Sequence, residues 1–275
     1  MSEMKTENPW LHRYAIFGAF CALIAIVLGA IVTSLERPIA TNSAISINPA
    51  FESSHHMIGG VVVILVLGLT LGFRRRLGWI ALVAGLVDAV LGTRAITNAL
   101  PQLSGILHAL LAQVFFGSIV AIAVMTSASW KRGPEPIEDS WRPSMQSLAI
   151  AVPAIILLQT TLGASYRYRA LGVIWHILNA MIVLLLILIV AVFLIRQFPE
   201  HPTLRPAAVA LAVITSIQVM LGFTTFMMLI LFPETHPAVV IAGVLHVTTG
   251  ALTFGAGLSL ALLIRFNVRA DRLTS

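Results

Sequence analysis

LGVIWHILNAMIVLLLILIVAVFLI, Leu171–Ile195, carries no acid, no lysine or arginine, and one histidine, His176, near its start. A bilayer core about 30 Å thick takes about 20 apolar residues per helix, so this stretch reads as a membrane span. Seven other stretches read the same way: Tyr14–Leu35, His55–Phe73, Leu77–Ile96, Leu103–Ser127, Met145–Tyr166, Pro206–Leu229 and Ala238–Phe266. Of the 275 residues, 58% are hydrophobic and only 10% are charged, with a mean hydropathy of +0.95. Soluble domains carry about a quarter charged residues. The fold class expected is therefore an all-α integral membrane protein with eight transmembrane helices, leaving little chain for a soluble domain.

The net charge of +6 is explained by its distribution and gives no nucleic-acid signal. Lys5, Arg13, Arg74, Arg75, Arg76, Lys131, Arg132, Arg142, Arg196, Arg205, Arg265, Arg269 and Arg272 fall at the termini and in every second loop. Arg37, Arg94, Arg167 and Arg169 fall in the alternate loops. Basic residues concentrate on the cytoplasmic side, so both termini are expected there, in a multi-pass protein of the cell inner membrane with an even helix count. The first stretch is long, lightly flanked and followed by no small-residue cleavage site, so it is expected to be retained. A mitochondrial location is not expected, because the N-terminal segment is not an Arg-rich, acid-poor transit sequence. The single cysteine, Cys21, lies inside the first span, so no internal disulfide forms and it reads as a small packing residue.

The longest polar stretch, WKRGPEPIEDSWRP at Trp130–Pro143, reads as a cytoplasmic linker. It separates an N-terminal half, residues 1–129, from a C-terminal half, residues 144–275. The halves look alike. DAVLG occurs at Asp88–Gly92, QTTLG at Gln159–Gly163, QVMLG at Gln218–Gly222, and the weaker IVLG at Ile26–Gly29. Each odd helix thus ends in Leu-Gly and is followed by an even helix bearing histidine. Duplication of a four-helix unit, giving two pseudo-symmetric bundles, explains this order. The glycines themselves read as small residues that let helices approach.

Three of the eight histidines have ordinary settings: His12 and His201 in cytoplasmic segments, and His236 in the last outer loop. His55, His56, His108, His176 and His246 all lie in the outer parts of even helices. One buried histidine alone can simply hydrogen-bond a neighbour. Histidine at similar depth in four successive even helices suggests axial ligation of haem iron from two sides. The expected metal ligands are His55 or His56 with His108 in one half, and His176 with His246 in the other. Zinc fits less well, since its sites gather three or four ligands around one point.

Together these residues resemble the haem A synthase family over nearly the whole chain. The most specific match is FESSHHMIGG, Phe51–Gly60, similar to the family's Glu-x-x-His-Arg-x-x-Gly segment. The resemblance implies oxidation of the C8 methyl of haem O to the formyl of haem A, with Glu52 as the catalytic carboxylate. It implies that His55 and His108 hold the substrate haem O while His176 and His246 hold a haem b cofactor. It also implies an electron donor, the haem O synthase as a partner, and a place in the assembly of haem-copper oxidases. Four positions differ from the family pattern: His56 replaces an arginine, Ile177 follows His176 where arginine is frequent, Asp88 replaces a glutamine, and the first outer loop lacks a cysteine pair.

Several residues keep two readings. Glu52 precedes His55 by three positions, so a helix projects both from nearly one face. Without the family pattern it reads as a solvated acid at a helix start, where the helix dipole favours negative charge. Arg37, Arg94, Arg167 and Arg169 suit haem propionates or simply snorkel to the interface. Asp88 is an intramembrane acid, neutral or paired with Arg94. The alternative function is a non-catalytic diheme b-type cytochrome moving electrons from quinol to a partner, which has no need of Glu52.

Overall fold

The computed structural model describes residues 9–36, 49–73, 76–139 and 144–270. Among these, seven helices are long and apolar enough to cross a membrane. They are α1 (Pro9–Glu36), α2 (Pro49–Phe73), α5 (Pro101–Met125), α7 (Met145–Arg167), α8 (Val173–Gln197), α9 (Leu204–Leu231) and α10 (Pro237–Asn267). The protein is an all-α membrane protein, and its exposed surface agrees. Ile64, Met181, Leu185 and Ile230 are each more than 60% exposed, as side chains that face lipid are.

The expected span Leu77–Ile96 is divided. Helix α3 (Arg76–Leu91) has 16 residues and stops before Gly92, and the chain resumes as the short α4 (Arg94–Ala99). Thr93 breaks the helix with an extended backbone, φ −68° and ψ 145°. At 1.5 Å per residue α3 is about 24 Å long, short of a full hydrocarbon core.

The long helices pack as two rings. In the first, α1 lies against α2, α2 against α3, α3 against α5, and α5 against α1. In the second, α7, α8, α9 and α10 close in the same way. Each ring has its own core of buried side chains. Val62, Val66, Leu69, Ile119 and Ile122 lie in the first, and Val152, Ile187, Val190, Leu211 and Ile264 in the second. Where α2 meets α3, a Cβ at Gly78 would stand 3.0 Å from the Thr70 backbone, so a larger residue there would push the two helices apart by a few tenths of an ångström. There Thr70 Oγ1 lies 2.9 Å from the Gly78 carbonyl and donates to it.

The rings join through α5 and α10, with α1 against α10 and α5 against α7 on either side. The central contact is reciprocal: Phe254 of α10 lies on Gly117 of α5, and Phe116 of α5 lies on Gly255 of α10. The segment expected as a plain linker carries structure. After α6 (Ala128–Arg132), capped by Ser127, strand β1 (Ile137–Asp139) pairs in parallel with β2 (Val268–Ala270) at the end of α10. Asp139 accepts a hydrogen bond from the Met145 backbone at 2.6 Å and so anchors the start of α7. Residues 140–143 of that segment lie outside the described residues.

Candidate functional site

Helices α2, α5, α8 and α10 all carry histidine within their first three turns: His55 and His56, His108, His176 and His246. The fold brings four of these together in twos. The rings of His55 and His108 have centres 6.1 Å apart and planes at 86°. Those of His176 and His246 have centres 6.1 Å apart and planes at 85°. One arrangement therefore occurs twice, once inside each ring of helices.

Each imidazole is seated in the same way on the preceding odd helix. His55 Nδ1 lies 3.0 Å from the carbonyl of Ala25, His108 Nδ1 3.1 Å from that of Asp88, and His176 Nδ1 3.2 Å from that of Gln159. His246 faces the backbone of Gln218, although its Nδ1 makes no hydrogen bond of good geometry among the described residues. Four residues beyond each of these carbonyls stands glycine. A Cβ at Gly29, Gly92, Gly163 or Gly222 would lie 2.9 to 3.0 Å from Cε1 of His55, His108, His176 or His246 respectively. A full helical turn separates carbonyl and glycine, so one holds the ring nitrogen and the other leaves room for the ring.

The glycines are thus more than spacers between helices, which corrects the reading made from sequence. Their signal was the Leu-Gly repeat; the histidine each one faces was not visible there. A second regularity also escaped notice. The residue four positions after each histidine is small: Gly59, Ala112, Ala180 and Gly250. Of these, Gly59 is open, with nothing within 4 Å of an added Cβ, whereas one at Gly250 would lie 3.2 Å from Gln218 Nε2.

These features fit haem. A metal bonded to two opposed imidazoles at about 2 Å each leaves their ring centres about 6 Å apart. At His55 and His108 a backbone carbonyl on Nδ1 leaves Nε2 to ligate, the usual outer-shell arrangement of metal-bound histidine, while at His176 the Gln159 side-chain nitrogen lies 3.0 Å from Nδ1 and 3.2 Å from Nε2. Beside His55 the open face at Gly59 leaves room for a flat macrocycle. No group of three or more His, Cys, Asp or Glu side chains gathers in a metal-binding cluster among the described residues. A two-ligand site suits a metal whose other ligands come from its own macrocycle.

The remaining candidates sit as follows. His56 is not opposite His108; its side chain is 51% exposed and its Nε2 lies 3.6 Å from Glu52 Oε1, one turn earlier on α2. The Glu52 carboxylate therefore faces His56, although spacing alone put it beside His55. Arg167 donates from Nη2 to the Thr33 carbonyl at 2.6 Å and ties the end of α7 to α1. Arg169 takes a left-handed φ of 59° in the turn between α7 and α8. Arg94 starts α4, and Arg37 lies outside the described residues. Asp88 meets His108: its Oδ1 is 2.9 Å from His108 Nδ1. Gln159, at the matching position of α7, places its side-chain nitrogen 3.0 Å from His176 Nδ1 and is held by Asn179 Nδ2, which donates to its Oε1 at 2.8 Å.

Fold and site together define a polytopic helical membrane protein with two facing histidine pairs, one in each ring of helices. No family model and no curated protein sequence matches the chain.

Proposed function

We propose that the chain is a haem-binding membrane oxidoreductase of the haem A synthase type, converting the C8 methyl of haem O to the formyl of haem A. The observation that carries this reading is the repeated histidine pair, 6.1 Å between ring centres in each half, every ring lying against a backbone turn and a glycine. Two closed rings of helices with separate cores support two related four-helix halves, with α3 as the eighth span. The basic loops support cytoplasmic termini in an inner membrane and a histidine layer toward the outer face.

In this reading His55 and His108 clamp the substrate haem, and His176 and His246 clamp a haem b cofactor. Bound haem supplies redox-active iron and, in the N-terminal half, the methyl group to be oxidised. The chain supplies position. The carbonyls of Ala25, Asp88 and Gln159 orient three imidazoles, and the glycines fix their depth. Glu52, beside His56 at the mouth of α2, is the carboxylate available to hold or pass a proton at the reacting edge. Taking a methyl to a formyl removes four electrons and adds one oxygen atom, so the chemistry calls for dioxygen or water as the oxygen source and a redox partner for the electrons, with the haem O synthase as the supplier of substrate.

The test is a haem extract, separated by chromatography, from cells that make haem O with and without the protein. Haem A, or its hydroxylated precursor, is expected only with the intact chain and is expected to fall sharply in Glu52→Ala. The near-equality of the two pairs also favours a second reading, a diheme b-type cytochrome carrying electrons from quinol, because six-coordinate iron at both sites suits electron transfer. Bound haem b with no conversion of haem O would select that second reading over the first.

A further inference from the structure

The two histidine pairs share a backbone plan but differ in the side chains four residues before the ring-facing glycines, Ala25 on α1 and Asp88 on α3 in one half and Gln159 on α7 and Gln218 on α9 in the other. His108 Nδ1 lies between two oxygens of Asp88, its carbonyl at 3.1 Å and its carboxylate Oδ1 at 2.9 Å. The Asp88 side chain is 14% exposed, and Oδ1 is cut off from solvent and makes no hydrogen bond of good geometry among the described residues, so its approach to His108 Nδ1 is a charge contact. His176 meets instead the neutral amide of Gln159. We propose that Asp88 is a positioning residue that acts through His108 to hold the N-terminal haem at a lower reduction potential than the C-terminal one.

This rests on the reading that both pairs bind haem. Nδ1–H faces the Asp88 carbonyl, and a carboxylate 2.9 Å from the same nitrogen would add negative potential across a low-dielectric interior, favouring ferric over ferrous iron. The neutral amide of Gln159 adds no such charge. With haem in both halves, a single shared electron would reside on the C-terminal one.

The experiment is optical potentiometry of the purified full-length chain loaded with haem b alone. Wild type is expected to show two one-electron steps. Asp88→Asn is expected to raise the lower step by about 59 mV, a tenfold change in ferric-over-ferrous preference, and to leave the upper step in place. Gln159→Asp is expected to lower the upper step, and it stands as an independent test should Asp88→Asn not assemble. Steps that ignore both substitutions overturn the role of Asp88 while leaving the haem-binding reading intact. A chain that takes up no haem b overturns both.

Discussion

Gly163 and Gly222 show how narrow the seats of the imidazoles are. A Cβ at Gly163 would lie 2.9 Å from Cε1 and 3.0 Å from Nδ1 of His176, and one at Gly222 would lie 2.9 Å from Cε1 of His246. The cost of such overpacking, about 1–3 kcal/mol in a well-packed interior, is most easily relieved by turning the ring away from its partner. Gly163→Val is therefore expected to reduce bound haem from two per chain to one, measured as haem absorbance against protein. Gly92→Val is expected to remove the other haem; two haems with unchanged spectra in both variants would show that the glycines do not seat the rings. The histidines were legible in the sequence because an imidazole stands out in an apolar span. Their seats were not. Ala25 and Gly29 look like any small residues in α1, and only the rotation of α1 against α2 shows that they face His55. The partner of Glu52 was likewise hidden, since positions three and four residues along a helix both lie near its face.

At the level of elements, α3 is where sequence and structure part. The apolar run continues through Ala95 and Ile96, so composition alone extended the span past the break at Gly92 and Thr93. The strand pair β1–β2 was illegible for a different reason: three residues are too few to show an alternating pattern. If α3 crosses the membrane, Arg76 and Asn98 stand on opposite sides of it. In a Cys21→Ser background, a membrane-impermeant maleimide applied to intact cells is expected to label Asn98→Cys and not Arg76→Cys. Labelling of both positions would place α3 along the outer surface and reduce the protein to seven spans.

Across the whole molecule, the polar stretch at 130–143 and the repeated Leu-Gly set up the expectation of two halves, and the long helices pack as two rings, each with its own buried side chains. The joint between the rings was not legible. It depends on Phe116 and Phe254 lying on each other's glycine neighbours, a match between two helices far apart in sequence. That joint and the Arg167–Thr33 contact tie the two rings together. The central claim, that each pair grips one haem between crossed imidazoles, is tested most directly by electron paramagnetic resonance of the oxidised, purified chain with haem counted against protein. With imidazole planes near 86° and 85°, bound iron would have the d orbitals that overlap them nearly equal in energy. The expected result is two low-spin ferric haems per chain with strongly anisotropic signals. High-spin iron, or one haem or none per chain, would contradict the claim.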